Sequence, residues 1–212
     1  KKITAYHEAG HAISSYYLDN QDPVTHISIV PRGMAAGFTL YTPEQDKMHM
    51  MKSRMLDDIV SLLGGRVAEK IIFGDISTGA SNDIQRATEI ARNMITKYGM
   101  SEKLGPIAFG SDNDEVFLGK NYTHTRNYSE NIAAAIDEEV ESIINNAYKR
   151  TETILTEHID QLHLVSKVLV DLEKIDKEQF ESLMTTGALP GEKDEAPVAE
   201  APAEEAVETT AE

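Results

Sequence analysis

Apolar residues recur at helical spacing along most of the chain, and at strand spacing in one short region near its start. Tyr6, Ala9, Ile13 and Tyr17 fall three or four positions apart, so residues 4–18 should form a helix anchored to a core. Polar and apolar residues then alternate through Thr25-His26-Ile27-Ser28-Ile29-Val30, a strand ended by Pro31. Arg32-Gly33-Met34-Ala35-Ala36-Gly37 reads as a glycine-rich turn into a second strand, Phe38-Thr39-Leu40-Tyr41. Two strands are marginal alone and must pack against helices. An edge in so small a sheet can pair with an extended peptide, or it can belong to an ordinary hairpin with no ligand.

Helical spacing returns over residues 44–63, where Met48, Met51, Met55, Ile59 and Leu62 share a face. The methionines read as core filler. Gly64-Gly65 should stop this helix, and residues 66–73 should form another, ending at Gly74. The small, polar stretch Ser77-Thr78-Gly79-Ala80-Ser81-Asn82-Asp83-Ile84 reads as a loop entering a helix, with Ser81 or a neighbour as its N-cap. Ile84, Ala87, Ala91, Met94, Ile95 and Tyr98 supply that helix's buried stripe, and Gly99 its end. Residues 100–127 read as ordered but loop-rich. A long helix then carries Ile132, Ile136, Val140, Ile143 and Ala147, and another Leu162, Val165, Val168, Leu169 and Leu172. Asp176 with Gln179 resembles a capping box opening a last short helix. Periodicity vanishes after Leu189, so residues 190–212 should be a disordered tail. The expected fold is mainly α, one domain over residues 1–189 with a small β-hairpin beside the first helix.

Charge and composition narrow the function. The net charge of −16, spread over a moderately acidic body and a strongly acidic tail, argues against binding nucleic acid through a basic patch. No cysteine is present, which excludes disulfides and thiolate metal sites and fits a cytosol-facing protein. No apolar run is long enough to span a membrane, so the fragment should be soluble. The chain begins Lys1-Lys2 and reads as a piece of a longer protein.

The chemistry sits in His7-Glu8-Ala9-Gly10-His11. Two histidines four apart share one helical face and can ligate one zinc ion, while Glu8 can reach a water there without being a ligand. This is the H-E-x-x-H arrangement of zinc proteases; the bland alternative is two solvated histidines and a surface carboxylate. A catalytic zinc usually takes three protein ligands. Candidates for the third are His26, His49, His124, His158, His163 and many carboxylates, Glu69 among them. Spacing alone does not choose.

Further motifs extend the pattern: Pro31-Arg32-Gly33, Gly64-Gly65-Arg66-Val67-Ala68-Glu69, the stretch from Ser77 to Ile84, Ala91-Arg92-Asn93-Met94, Ser101-Glu102-Lys103-Leu104-Gly105-Pro106 and Val116-Phe117-Leu118-Gly119. Together with the histidine motif they make residues 1–185 resemble the protease domain of the FtsH family of membrane-anchored, ATP-dependent zinc proteases. The resemblance implies a zincin-like endopeptidase with one Zn2+ per chain, held by His7, His11 and Asp83, with Glu8 as general base. It implies that Gly37, Phe38 and Thr39 lie beside the metal and bind substrate, and it makes Glu69 a structural carboxylate near the site. It also implies a homo-hexamer that degrades unfolded polypeptides and membrane proteins. Such a ring would be fed by an AAA+ ATPase module, using ATP and Mg2+, and held by a membrane anchor at the cytoplasmic face of the bacterial inner membrane; both parts are missing from this chain. The rival class is a catalytically silent domain kept for assembly or chaperone-like polypeptide binding. An intact Glu8 counts against it.

Overall fold

A computed structural model describes residues 1–33, 36–43, 49–110 and 127–191. The chain is built around one buried helix, α1 (Lys2–Tyr16), in which every residue from Ala5 to Ser15 is buried. One apolar face would leave half of such a helix in water. Here α2 (Lys52–Phe73), α5 (Ile159–Leu172) and the sheet pack against it from different sides. The small residues Ala5, Ala9, Gly10, Ala12, Ser14 and Ser15 make that enclosure possible, because neighbouring backbones can approach. The helix begins and ends about two residues before the sequence expectation, a shift within ordinary end fraying.

The largest departure from expectation is α2. Gly64 and Gly65 do not stop it; the helix runs unbroken to Phe73 and ends at Gly74, whose φ of 66° is the left-handed closing residue. Glycine in a helix interior costs about 0.5–1 kcal/mol relative to alanine. The reason it is tolerated is the crossing with α1. A Cβ on Gly64 would lie 2.5 Å from the Gly10 carbonyl oxygen, and one on Gly10 would meet the Gly64 carbonyl. The two backbones touch where neither residue has a side chain, and packing outweighs propensity. The start of α2 also falls later than expected: Met51 is 69% exposed, while Met55 and Ile59 are buried. Met48 and residues 44–48 lie outside the described residues.

A single 3-10 turn (Thr78–Ala80) precedes α3 (Ser81–Thr96). Ser81 is therefore the first helical residue rather than a cap; Ser77 caps the turn by accepting from the Gly79 N–H. Ala87, Ala91, Met94 and Ile95 face the core, but Ile84 and Tyr98 at the ends of the expected stripe are exposed. The long α4 (Glu130–Glu157) covers α2 and α3 through Ile136, Val140, Ala147 and Leu155. Buried Asp57 on α2 ties these layers, accepting from Arg150 of α4 at 2.6 Å and from the Asn20 side chain at 2.9 Å. In α5, Leu162, Val165 and Leu169 are buried and Leu172 is exposed. The capping box of Asp176 and Gln179 is present and opens α6 (Lys177–Thr186).

The sheet has three strands, not two. β1 (Val24–Ser28) lies between β2 (Phe38–Tyr41) and β3 (Lys174–Asp176), antiparallel to both. β3 is too short to show an alternating pattern, and it joins through Ile175 opposite Ile27, both fully buried. Because β1 is central, β2 is an edge strand against α1, with one side unpaired among the described residues. No helix of the described residues is long and apolar enough to cross a membrane. Residues 111–126 and 192–212, which contain His124 and nearly all of the expected tail, lie outside them.

The glycine crossing yields a test in which two effects have opposite signs. Helix propensity alone would make Gly64→Ala stabilising, whereas overpacking at a backbone contact costs about 1–3 kcal/mol. Packing should win, and the urea midpoint should fall with no change in m-value. A raised midpoint would show that the helices can separate at no cost.

Candidate metal centre

His7 and His11 project from the same face of α1, one turn apart, with their Nε2 atoms 3.1 Å from each other. Asp83, in the first turn of α3, places Oδ2 3.5 Å from both nitrogens. Three ligand atoms on two elements far apart in sequence thus converge on one point, and among the described residues they form the one group of this kind.

The other ring nitrogens explain why the lone pairs face inward. His11 Nδ1 lies 2.8 Å from the Ser61 carbonyl oxygen. A carbonyl only accepts, so Nδ1 carries the proton and Nε2 of the neutral ring presents its lone pair. His7 Nδ1 likewise lies 2.8 Å from Glu69 Oε1. Burial alone would raise the Glu69 pKa, but the Ser77 N–H and hydroxyl, at 2.7 and 3.0 Å, and the contact with His7 lower it. Glu69 is therefore an anionic acceptor. Ser61, Gly65 and Glu69 stand four residues apart on α2 and form one stripe beneath the two rings. Gly65 is the bare position in that stripe: a Cβ there would lie 2.5 Å from His7 Cε1.

Two neutral Nε2 lone pairs 3.1 Å apart beside a carboxylate repel one another unless a positive charge lies among them. The pKa directions express this demand. Burial works to lower the His11 pKa, yet the hydrogen bond and charge of Asp83 raise it. Burial would raise Asp83, yet the two histidines hold it well below the usual carboxylate range. A metal ion meets the same demand without a proton. Tetrahedral ligands at about 2.0–2.1 Å from one zinc ion are roughly 3.4 Å from each other, and the observed separations of 3.1 and 3.5 Å bracket that value. The N,N,O donor set is also of the kind that leaves a fourth position open.

Glu8 lies beside this cluster without joining it. Its Oε2 accepts from the Thr39 hydroxyl at 2.9 Å, and Oε1 rests over Gly37, where a Cβ would intrude to 2.7 Å. Burial is the main cause that raises its pKa, with His11, Thr39 and His7 acting in the opposite direction. Gly37 and Thr39 thus lie against the carboxylate of Glu8. Phe38 shares the strand but points to the opposite face, where its ring stacks with His26. The remaining described histidines lie elsewhere: His163 is hydrogen-bonded to the Tyr6 hydroxyl at 2.8 Å, His158 stacks on Tyr17, and His49 is exposed. Glu69 is at the wrong nitrogen of His7 to be a ligand. Ser61, which acts through its backbone carbonyl, gave no signal in the sequence, and Ser77 stood at the head of a motif without a role of its own. Gly65 gave a signal, but with Gly64 it reads locally as a helix stop.

Comparison with known proteins places this geometry among relatives. Peptidase family M41 matches residues 1–183. The chain is 57% identical over 183 residues to the ATP-dependent zinc metalloprotease FtsH 1 of Thermoanaerobacter sp. (strain X514), covering 86% of this chain and 30% of that protein. It is 54% identical over 190 residues to ATP-dependent zinc metalloprotease FtsH of Caldicellulosiruptor bescii, covering 90% of this chain and 31% of that one. The protein of that name from Bacillus subtilis is 50% identical over 191 residues, with 90% of this chain and 30% of the relative covered. The chain therefore spans somewhat under a third of the length of these relatives.

Because Glu69 acts on His7 through the nitrogen that faces away from the cluster, its loss should loosen the metal without removing a ligand. Glu69→Ala is expected to weaken zinc affinity about 10–100-fold, measured by competition with a chelating dye. Unchanged affinity would remove Glu69 from the metal centre.

Proposed function

Because the chain belongs to peptidase family M41, we propose that it carries the zinc-dependent endopeptidase activity of a longer ATP-dependent protease. The observation that supports this best is the convergence of His7, His11 and Asp83 beside a buried carboxylate, Glu8, that is not one of them. In this reading the three converging residues are the zinc ligands. Zinc bound there supplies Lewis acidity, polarising a peptide carbonyl and lowering the pKa of water. Glu8 accepts the proton of the water that adds to the carbonyl carbon. It returns that proton to the amide nitrogen as the C–N bond breaks, and the water's second proton passes from the new carboxyl group to the amine, so the products are a carboxylate and an ammonium. Substrate extends along the edge of β2 that is unpaired among the described residues, adding a strand to the sheet so that its peptide bonds pass the metal.

In this reading the protease domain comprises residues 1–189. In the full-length chain the relatives' ATP dependence is met by an AAA+ module that uses ATP and Mg2+. A membrane anchor holds that chain at the cytoplasmic face of the bacterial inner membrane, and six copies form the ring. Substrates are unfolded polypeptides and extracted membrane proteins, threaded to the site by the motor. The domain by itself then cleaves only chains that are already unstructured.

The decisive comparison uses an unfolded protein substrate together with metal analysis. Wild type should bind one zinc per chain and cleave the substrate. Glu8→Gln should keep the metal while losing about 10²–10⁴-fold in rate. Asp83→Ala should lose both metal and activity. Cleavage that survives Glu8→Gln would overturn the mechanism, and full zinc occupancy in Asp83→Ala would overturn the ligand set. A zinc-loaded full-length ring that cleaves nothing would favour the silent, assembly-type role.

A further inference from the structure

Building on the base role given to Glu8, we propose that Thr39 is a positioning residue whose hydroxyl fixes the carboxylate of Glu8, and that its side chain does not contact substrate. The argument begins with strand geometry. Thr39 lies opposite Ile27 of β1, which is fully buried, so the side chain of Thr39 lies on the inner face toward α1. A peptide adding to β2 bonds to the strand's backbone at its edge, in the plane of the sheet. The Thr39 hydroxyl is perpendicular to that plane and aims at Glu8.

Its reach is divided unequally. The hydroxyl oxygen lies 2.9 Å from Glu8 Oε2 and 3.3 Å from the Glu8 backbone carbonyl. A hydroxyl has one proton, and the shorter, charge-assisted partner takes it. Gly37, two residues earlier and so on the same face, supplies the other half of the slot. A Cβ there would come within 2.7 Å of Glu8 Oε1 and 2.8 Å of the Ser28 carbonyl oxygen. Both carboxylate oxygens are thus set by one strand, one by a donor and one by a vacancy of side chain. A glutamate has three rotatable side-chain bonds, and without the donor Oε2 is free to turn away from the reacting water. The strand that aligns the substrate also aligns the base, so their relative register is a property of β2.

The test separates positioning from binding and from folding. Thr39→Val keeps the shape and removes the hydroxyl; Thr39→Ser keeps the hydroxyl. In the full-length protease with an unfolded substrate, Thr39→Val should lower kcat about 10–100-fold with KM within about twofold of wild type, and Thr39→Ser should restore most of it. Zinc content should stay at the wild-type value in both variants. In the metal-free protein, the Glu8 carboxyl carbon resonance, assigned by its absence in Glu8→Gln, should shift in Thr39→Val and return in Thr39→Ser. Wild-type kcat in Thr39→Val, a KM effect alone, lost zinc, equal impairment of both variants or an unmoved resonance would each overturn the proposal. If Glu8→Gln is inactive while Thr39→Val is unimpaired, only the positioning role fails. If Glu8→Gln is active, the reading of Glu8 beneath it fails.

Discussion

The contact between the backbones of Gly10 and Gly64 is the constraint on which the rest of the molecule depends. A single Cβ at either position would force the two helices apart, and α2 would carry Ser61, Gly65 and Glu69 away with it. Those three positions hold the two histidine rings: Ser61 by its carbonyl, Gly65 by leaving room, and Glu69 by its carboxylate. The orientation of both Nε2 lone pairs is therefore a consequence of how closely two helices can pack. Even the unfavourable placement of two glycines inside α2 follows from it.

Around that crossing the charges are arranged for a cation. Glu8, Glu69 and Asp83 surround two histidines in a largely buried setting, where unpaired charge is expensive. Each carboxylate has a distinct restraint. Glu69 is held anionic by Ser77 and His7, and Asp83 is drawn down by both rings; Glu8 accepts from the Thr39 hydroxyl and is raised by burial. That difference in surroundings gives the three carboxylates three distinct electrostatic settings around one pair of histidines. The sheet contributes by its order. With β1 central and β3 on the far side, β2 has one edge unpaired among the described residues, beside α1, and its inner face reaches Glu8.

Where spacing carried the information, sequence and structure agree closely. Tyr6, Ala9 and Ile13 mark α1, Phe38–Tyr41 is β2 to the residue, and Asp176 with Gln179 caps α6 as a capping box. Departures occur where a distant partner overrides a local signal. Gly64-Gly65 has the local meaning of a stop, and only the presence of Gly10 on another helix makes it a contact. Ser81 is a good cap in isolation, but Ser77 is held by Glu69 and starts a 3-10 turn one step earlier. Ile84 and Tyr98 continue an apolar stripe that the core does not reach, and Ile175 forms a strand because β1 lies beside it.

The same division runs through the site. The sequence by itself determined the pair His7 and His11 and the neighbouring Glu8, because a helix turns by a constant angle and four residues must bring two rings together. It also carried the family's motifs, and through them pointed to Asp83. Only the tertiary structure decided that Asp83 meets both rings, that Glu69 stands behind His7 instead of beside the metal position, and that Thr39 and Gly37 hold Glu8. Those relations join residues from about 30 to 76 positions apart in the chain. Nothing in local geometry ties such residues together, and their distances are set by how helices and strand pack.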